Sequence, residues 1–266
     1  MLKKLYKHEF YSLFRSLLPI YAALFGFSVL SRLVYLVKTE NNIINTFKTL
    51  AVIGYVLTII AVFIVGIVIV VTRFYRNLLS SEGYLTFSLP FTATQHIVCK
   101  LICGAVTVAV DFVLVFLSLA VLGIGTKAEN DFIKFLPELF KAFFNYGEWP
   151  QLTLLIAEIA VFAIITLLEA LLMFYAAIAI GQQFKNRAGA SVIAYICLYA
   201  ASQIIALIFM PLIFAFGSAS GFENYLNSGI SAVSLFLLLP IVFSALLGTA
   251  YFLITRYFLS KRLNLE

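Results

Sequence analysis

Six stretches of the chain stay apolar long enough to cross a bilayer, and most polar residues fall between them. A hydrocarbon core about 30 Å thick needs about 20 consecutive apolar residues in helical form. Residues 17–37, 50–72, 101–125, 152–180, 188–210 and 229–255 meet that requirement, and Leu50–Val71, Ala188–Met210 and Gly229–Thr255 carry no charge. Backbone polar groups in lipid must be satisfied within the segment, so the pattern predicts helices. The runs are continuous rather than alternating, which excludes the ten-residue strands of an outer-membrane barrel.

Four pieces outside the spans have patterns of their own. In residues 1–16, Leu2, Leu5, Tyr6, Phe10, Leu13 and Phe14 fall along one helical face, with Lys3, Lys4, Lys7 and Arg15 largely away from it. That predicts an amphipathic helix on the inner leaflet, ending where Pro19 opens the first span. Residues 126–150 repeat Phe132, Phe135, Leu136, Leu139, Phe140 and Phe143 at helical spacing, with Trp149 as an interfacial anchor, and predict an external loop lying on the outer leaflet. Pro211 is expected to end the fifth span, leaving 211–228 as a short re-entrant hairpin around Gly217–Gly221. The fourth piece, 73–100, is basic yet too apolar for a solvated loop. Glu82-Gly83-Tyr84 predicts one bend and Ser88-Leu89-Pro90 another, after which Thr92 or Thr94 caps a helix entering the third span. A plainer reading makes it a buried interfacial loop.

Composition agrees with lipid as the solvent. Of 266 residues, 63% are apolar and only 11% charged, against roughly a quarter charged in a soluble domain. The net charge of +6 sits in clusters at span ends, so it reads as an orientation signal rather than a nucleic-acid surface. One side collects Lys3, Lys4, Lys7, Arg15, Arg73, Arg76, Lys100, Lys185, Arg187, Arg256, Lys261 and Arg262. The other has Lys38, Lys48, Lys127, Lys134 and Lys141, the last three diluted by Glu129, Asp131, Glu138 and Glu148. Both termini are therefore expected in the cytoplasm, with no cleavable leader and a single transmembrane domain over 1–266.

Candidate chemistry is sparse. Cys99, Cys103 and Cys197 do not make a disulfide framework, and Cys99 and Cys103 read as small apolar helix residues rather than metal ligands. No phosphate-binding Gly-x-x-x-x-Gly-Lys-Ser/Thr loop, zinc-type His-Glu-x-x-His helix or Gly-x-Ser-x-Gly elbow occurs. Four ionisable groups lie within spans: Arg32, Asp111, Glu158 and Glu169. Each is costly in lipid and is expected to face the bundle interior or snorkel. Glu158 and Glu169 are eleven residues apart and share a helix face. One reading makes these groups a polar path or proton relay. The other makes them packing glue, with Arg32 neutralising Glu158 or Asp111 and Tyr or Ser groups satisfying the rest. Small-residue pairs Ala177/Gly181 and Ser244/Gly248 favour close helix contact.

The run Glu82-Gly83-Tyr84-Leu85-Thr86-Phe87-Ser88-Leu89-Pro90, the pair Lys100-Leu101, the start Leu2-Lys3-Lys4-Leu5 and the tail Lys261–Glu266 resemble the ABC-2 family of transporter permeases, particularly the small six-span permeases of Firmicutes. The resemblance implies an all-α integral membrane protein with the ABC-2 exporter fold, placed in the bacterial cytoplasmic membrane. It implies a half-transporter that pairs with a second permease subunit, identical or sibling, over a separate ATPase dimer. The chain itself would hold no cofactor, ATP and Mg being bound by that partner. The 73–100 connection would carry the coupling helix, with Glu82, Gly83, Tyr84, Thr86, Phe87, Ser88, Leu89 and Pro90 as contact residues, and 211–228 would be the outer re-entrant element. The resemblance says nothing of cargo; the richness in aromatics, 27 Phe and 14 Tyr, suits an amphipathic drug, lipid or antimicrobial peptide, although aromatics are also ordinary bundle filler. The rival readings are a proton- or ion-coupled secondary transporter using Asp111, Glu158 and Glu169, and a non-transporting sensor or immunity subunit.

Overall fold

A computed structural model describes residues 2–36, 42–79, 83–84, 88, 91–123, 149–219 and 230–261. They form six long helices: α1 (Leu2–Leu36), α2 (Asn42–Leu79), α3 (Ala93–Gly123), α4 (Trp149–Gly181), α5 (Arg187–Ala219) and α6 (Ile230–Lys261). No strand occurs among the described residues. Each helix contains a stretch long and apolar enough to cross a membrane. Large apolar side chains such as Leu57, Ile64, Phe116 and Leu207 remain exposed along them. Apolar surface on that scale is stable against lipid and not against water. The protein is a multi-pass membrane protein.

The helices outrun the membrane. The 38 residues of α2 span about 57 Å at 1.5 Å per residue, nearly twice the hydrocarbon thickness. Its surplus carries Arg73 and Arg76 at one end and Lys48 near the other.

Two expected breaks are not there. The surface helix over 1–16 is not a separate element, because α1 runs without interruption through Pro19. The fifth span does not stop at Pro211 either; α5 continues to Ala219, and α6 likewise contains Pro240. A proline removes one backbone donor and crowds the carbonyl four residues back. Within a long membrane helix the remaining hydrogen bonds keep the helical path, since leaving it would expose many more groups to lipid. The rest of the expected hairpin, 220–228, and the loop 126–148 lie outside the described residues.

The chain forms two compact units, Met1–Arg73 with Ile102–Phe143, and Phe74–Leu101 with Phe144–Glu266. In the first, three helices meet along stripes of near-seven-residue period. Leu17, Tyr21, Leu24, Ser28 and Ser31 line α1; Tyr55, Thr58 and Val62 line α2; Thr107, Asp111, Val115 and Ser118 line α3, and all are buried. Leu17, Tyr21, Leu24, Tyr55, Val62 and Val115 form its apolar core. Such stripes place one face of each helix on its neighbours at a shallow crossing. In the second unit α4 packs against both α5 and α6. The α4–α5 turn is tight: a Cβ on Gly181 would collide with the Ser191 backbone. The Asn186 side chain accepts a hydrogen bond from Gly189 N at 3.3 Å and so caps α5.

Candidate functional site

The connection between α2 and α3 is anchored at both flanks. The Phe74 ring, at the end of α2, stacks on Tyr175 of α4 with centroids 3.9 Å apart and planes 6° off parallel. The Tyr175 hydroxyl donates to the carbonyl of Lys100 at the start of α3, at 3.2 Å. One α4 side chain therefore holds the outgoing and the returning strand of the connection. Leu78, Leu79, Ile97, Ala176 and Ala179, each fully buried, complete this packing. Gln182, one turn beyond Ile178 on α4, is also buried, and neither of its amide atoms has a partner among the described residues.

Within the connection, Gly83 is buried, Tyr84 is 75% exposed and Ser88 is exposed. The Ser88 amide donates to the Tyr84 carbonyl at 3.2 Å. Glu82, Thr86, Phe87, Leu89 and Pro90 lie outside the described residues. Of the two candidate caps, Thr92 is the one in place: its hydroxyl accepts from Gln95 N at 3.4 Å, and Gln95 Oε1 accepts from Thr92 N at 3.0 Å. This reciprocal capping box satisfies two donors that a helix start leaves open.

The intramembrane charged residues fall into two settings. Asp111, in the first unit, is 0% exposed. The Tyr21 hydroxyl donates to its Oδ1 at 2.5 Å, while Oδ2 has no hydrogen-bond partner among the described residues. That oxygen sits against Gly66 of α2, where an added Cβ would collide with it. Arg32, half-buried on α1, is not its partner; Tyr21 is. One to two turns further along, Ser28 donates to the Ser118 carbonyl at 2.9 Å. Ser118 Oγ gives its proton to Val115 O at 2.8 Å, so the Tyr55 hydroxyl is the donor in its 2.8 Å bond with that oxygen. Ser31 donates to Ala51 O at 3.0 Å, and Arg73 bonds Ser12 at the other end. The three helices are thus laced along much of their length.

Glu169, in the second unit, is only half-buried, and it accepts a hydrogen bond from Ser244 of α6. It lines a seam with Leu168, Leu172, Gly248 and Phe252, a cavity of about 250 Å³. Glu158 lies on the same face of α4, and its shielded Oε2 has no hydrogen-bond partner among the described residues. On the neighbouring turn of α6, Tyr251 shares a hydrogen bond with Ser202 of α5.

Sequence reasoning missed Tyr21 and Gly66 as the particular company of Asp111, Ser118 as the hub of the bonds further along, and Phe74 and Tyr175 as the anchor of the connection. The available signal for the first group was the stripe Leu17-Tyr21-Leu24-Ser28-Ser31, whose small and hydroxyl residues mark a face that meets other helices. Comparison of the chain with protein families, with characterised proteins and with solved structures found no match in any of the three.

Proposed function

We propose that this chain is the membrane-spanning subunit of an ATP-driven exporter, working as one half of a dimer above a separate ATPase. The observation that supports it most is the double anchoring of the 73–100 connection. A partner that pushes on Tyr84, the exposed point of the described part, loads the Phe74 and Lys100 flanks together. Both flanks bear on Tyr175, so the displacement reaches α4, which packs on α5 and α6. A bundle that rocks between two packed arrangements responds to such a push as a body. The basic span ends support a cytoplasmic location for this connection and for both termini, in a bacterial cytoplasmic membrane.

The test is isolation of the chain from native membranes with its bound partners, followed by ATPase assay and export by inverted vesicles. An ATPase that co-isolates with the wild type, and whose hydrolysis no longer drives export when Tyr84 or Glu82 is replaced by Ala, fits the proposal. Flux that follows a proton gradient without ATP would replace it with the secondary-transporter reading.

A further inference from the structure

The α4–α6 seam has what an organic cation with an apolar body requires. Glu169 stands near the middle of the apolar stretch Thr153–Gly181, where an unpaired carboxylate is costly. Among the described residues it has one hydroxyl partner, Ser244, and no lysine, arginine or histidine. Apolar side chains including Leu168, Leu172 and Phe252, with the hydroxyl of Thr249, line about 250 Å³ of open space around it. That volume suits an ammonium head rather than a whole ligand, since complete drug-sized sites run to roughly 300–1,000 Å³. Gly248 faces Glu169 without crowding it: a Cβ there would meet the Glu169 backbone and Cβ at 3.8 Å, an ordinary contact. Phe252 adds a ring face of the kind that attracts cations. Eleven residues away on the same face, Glu158 is the other carboxylate of this helix, and its shielded Oε2 has no hydrogen-bond partner among the described residues.

We infer that the Glu169 seam is a binding site for lipophilic organic cations, with the ammonium head against the carboxylate and the apolar body along Leu172 and Phe252. The inference rests on the exporter reading, for which it names the substrate class. Charge complementarity selects this occupant: a neutral amphipath would leave the carboxylate uncompensated, and an anionic one would meet it head-on.

The experiment uses the full chain in nanodiscs of zwitterionic lipid, with empty nanodiscs as the reference for partitioning. Labelled dodecyltrimethylammonium, dodecanol and dodecanoate share one chain length and differ in head charge. Saturable binding of the ammonium over the other two is expected on the wild type, weakened about tenfold or more by Glu169→Gln and largely retained by Glu169→Asp. Equal binding of all three probes, no binding beyond empty nanodiscs, or an ammonium affinity unchanged in Glu169→Gln would overturn the inference. The wild-type comparison of the three heads decides the matter even where a variant folds poorly. Co-isolation of an ATPase is scored on the same preparation. An ATPase without cation binding removes this site and leaves the exporter reading, whereas cation binding without an ATPase does the reverse.

Discussion

Asp111 and Glu169 are both carboxylic residues set well inside apolar helices, and the protein treats them in opposite ways. Asp111 is sealed, tied to Tyr21 and fitted against a glycine that leaves no room for even a methyl group. Glu169 is half-exposed, held by Ser244 beside a glycine where an added Cβ would make only ordinary contacts. A polar group in lipid is tolerated where it fastens helices or where it receives something. The first carboxyl has the surroundings of a fastening and the second those of a receiving site.

The contrast breaks most visibly at the two glycines. Gly66→Ala drives a Cβ into the Asp111 carboxyl, so α2 must shift or the Tyr21 bond must be given up. A cost of about 1–3 kcal/mol is expected, as for other overpacked sites. Thermal unfolding in detergent, followed by circular dichroism, should show a clear drop in midpoint, and an unchanged midpoint would mean that the close seat is not real. Tyr21→Phe comes next. It keeps the ring in the core and removes the only hydrogen bond to the Asp111 side chain among the described residues, for an expected loss of about 1 kcal/mol, within the range of interhelical bonds in membrane proteins. In the double variant with Asp111→Asn the two losses should add to less than their sum, because both remove one interaction. Strict additivity would separate the pair.

Much of the frame is legible without coordinates. Six apolar runs give six helices, and the eleven-residue spacing of Glu158 and Glu169 gives a shared face. Their limits are less legible: Pro19 and Pro211 read as stops, yet in lipid one missing donor costs less than breaking the helix. Partner choice is the least legible. The α1 stripe through Tyr21 says that this face meets something, but only packing pairs it with Asp111 on α3. The Glu82–Pro90 run attracts attention by its pattern, whereas its anchor, Tyr175, sits in an unremarkable apolar run some 75 residues beyond Lys100.

A smaller effect tests the lacing of the first unit beyond Asp111. Ser118→Ala removes the oxygen that Tyr55 donates to while leaving the backbone carbonyl that receives Ser28. One of the two bonds at this position survives, so the expected loss is about 0.6 kcal/mol, the usual size of an interhelical bond. Tyr55→Phe should lose nearly the same amount. A larger loss for Ser118→Ala than for Tyr55→Phe would mean that the carbonyl bond from Ser28 is disturbed as well.

The smallest expected change in stability is at Gly248, and it is the sharpest check on the comparison. A Cβ there would meet its nearest atoms, the Glu169 backbone and Cβ, at 3.8 Å, an ordinary contact. Alanine also favours a helix over glycine by up to about 1 kcal/mol. Gly248→Ala should therefore leave the unfolding midpoint unchanged or slightly raised, under the same conditions in which Gly66→Ala lowers it. If the two substitutions lower it alike, the seam at Glu169 is as tightly closed as the seat of Asp111, and the distinction between a fastened carboxyl and a receiving one fails.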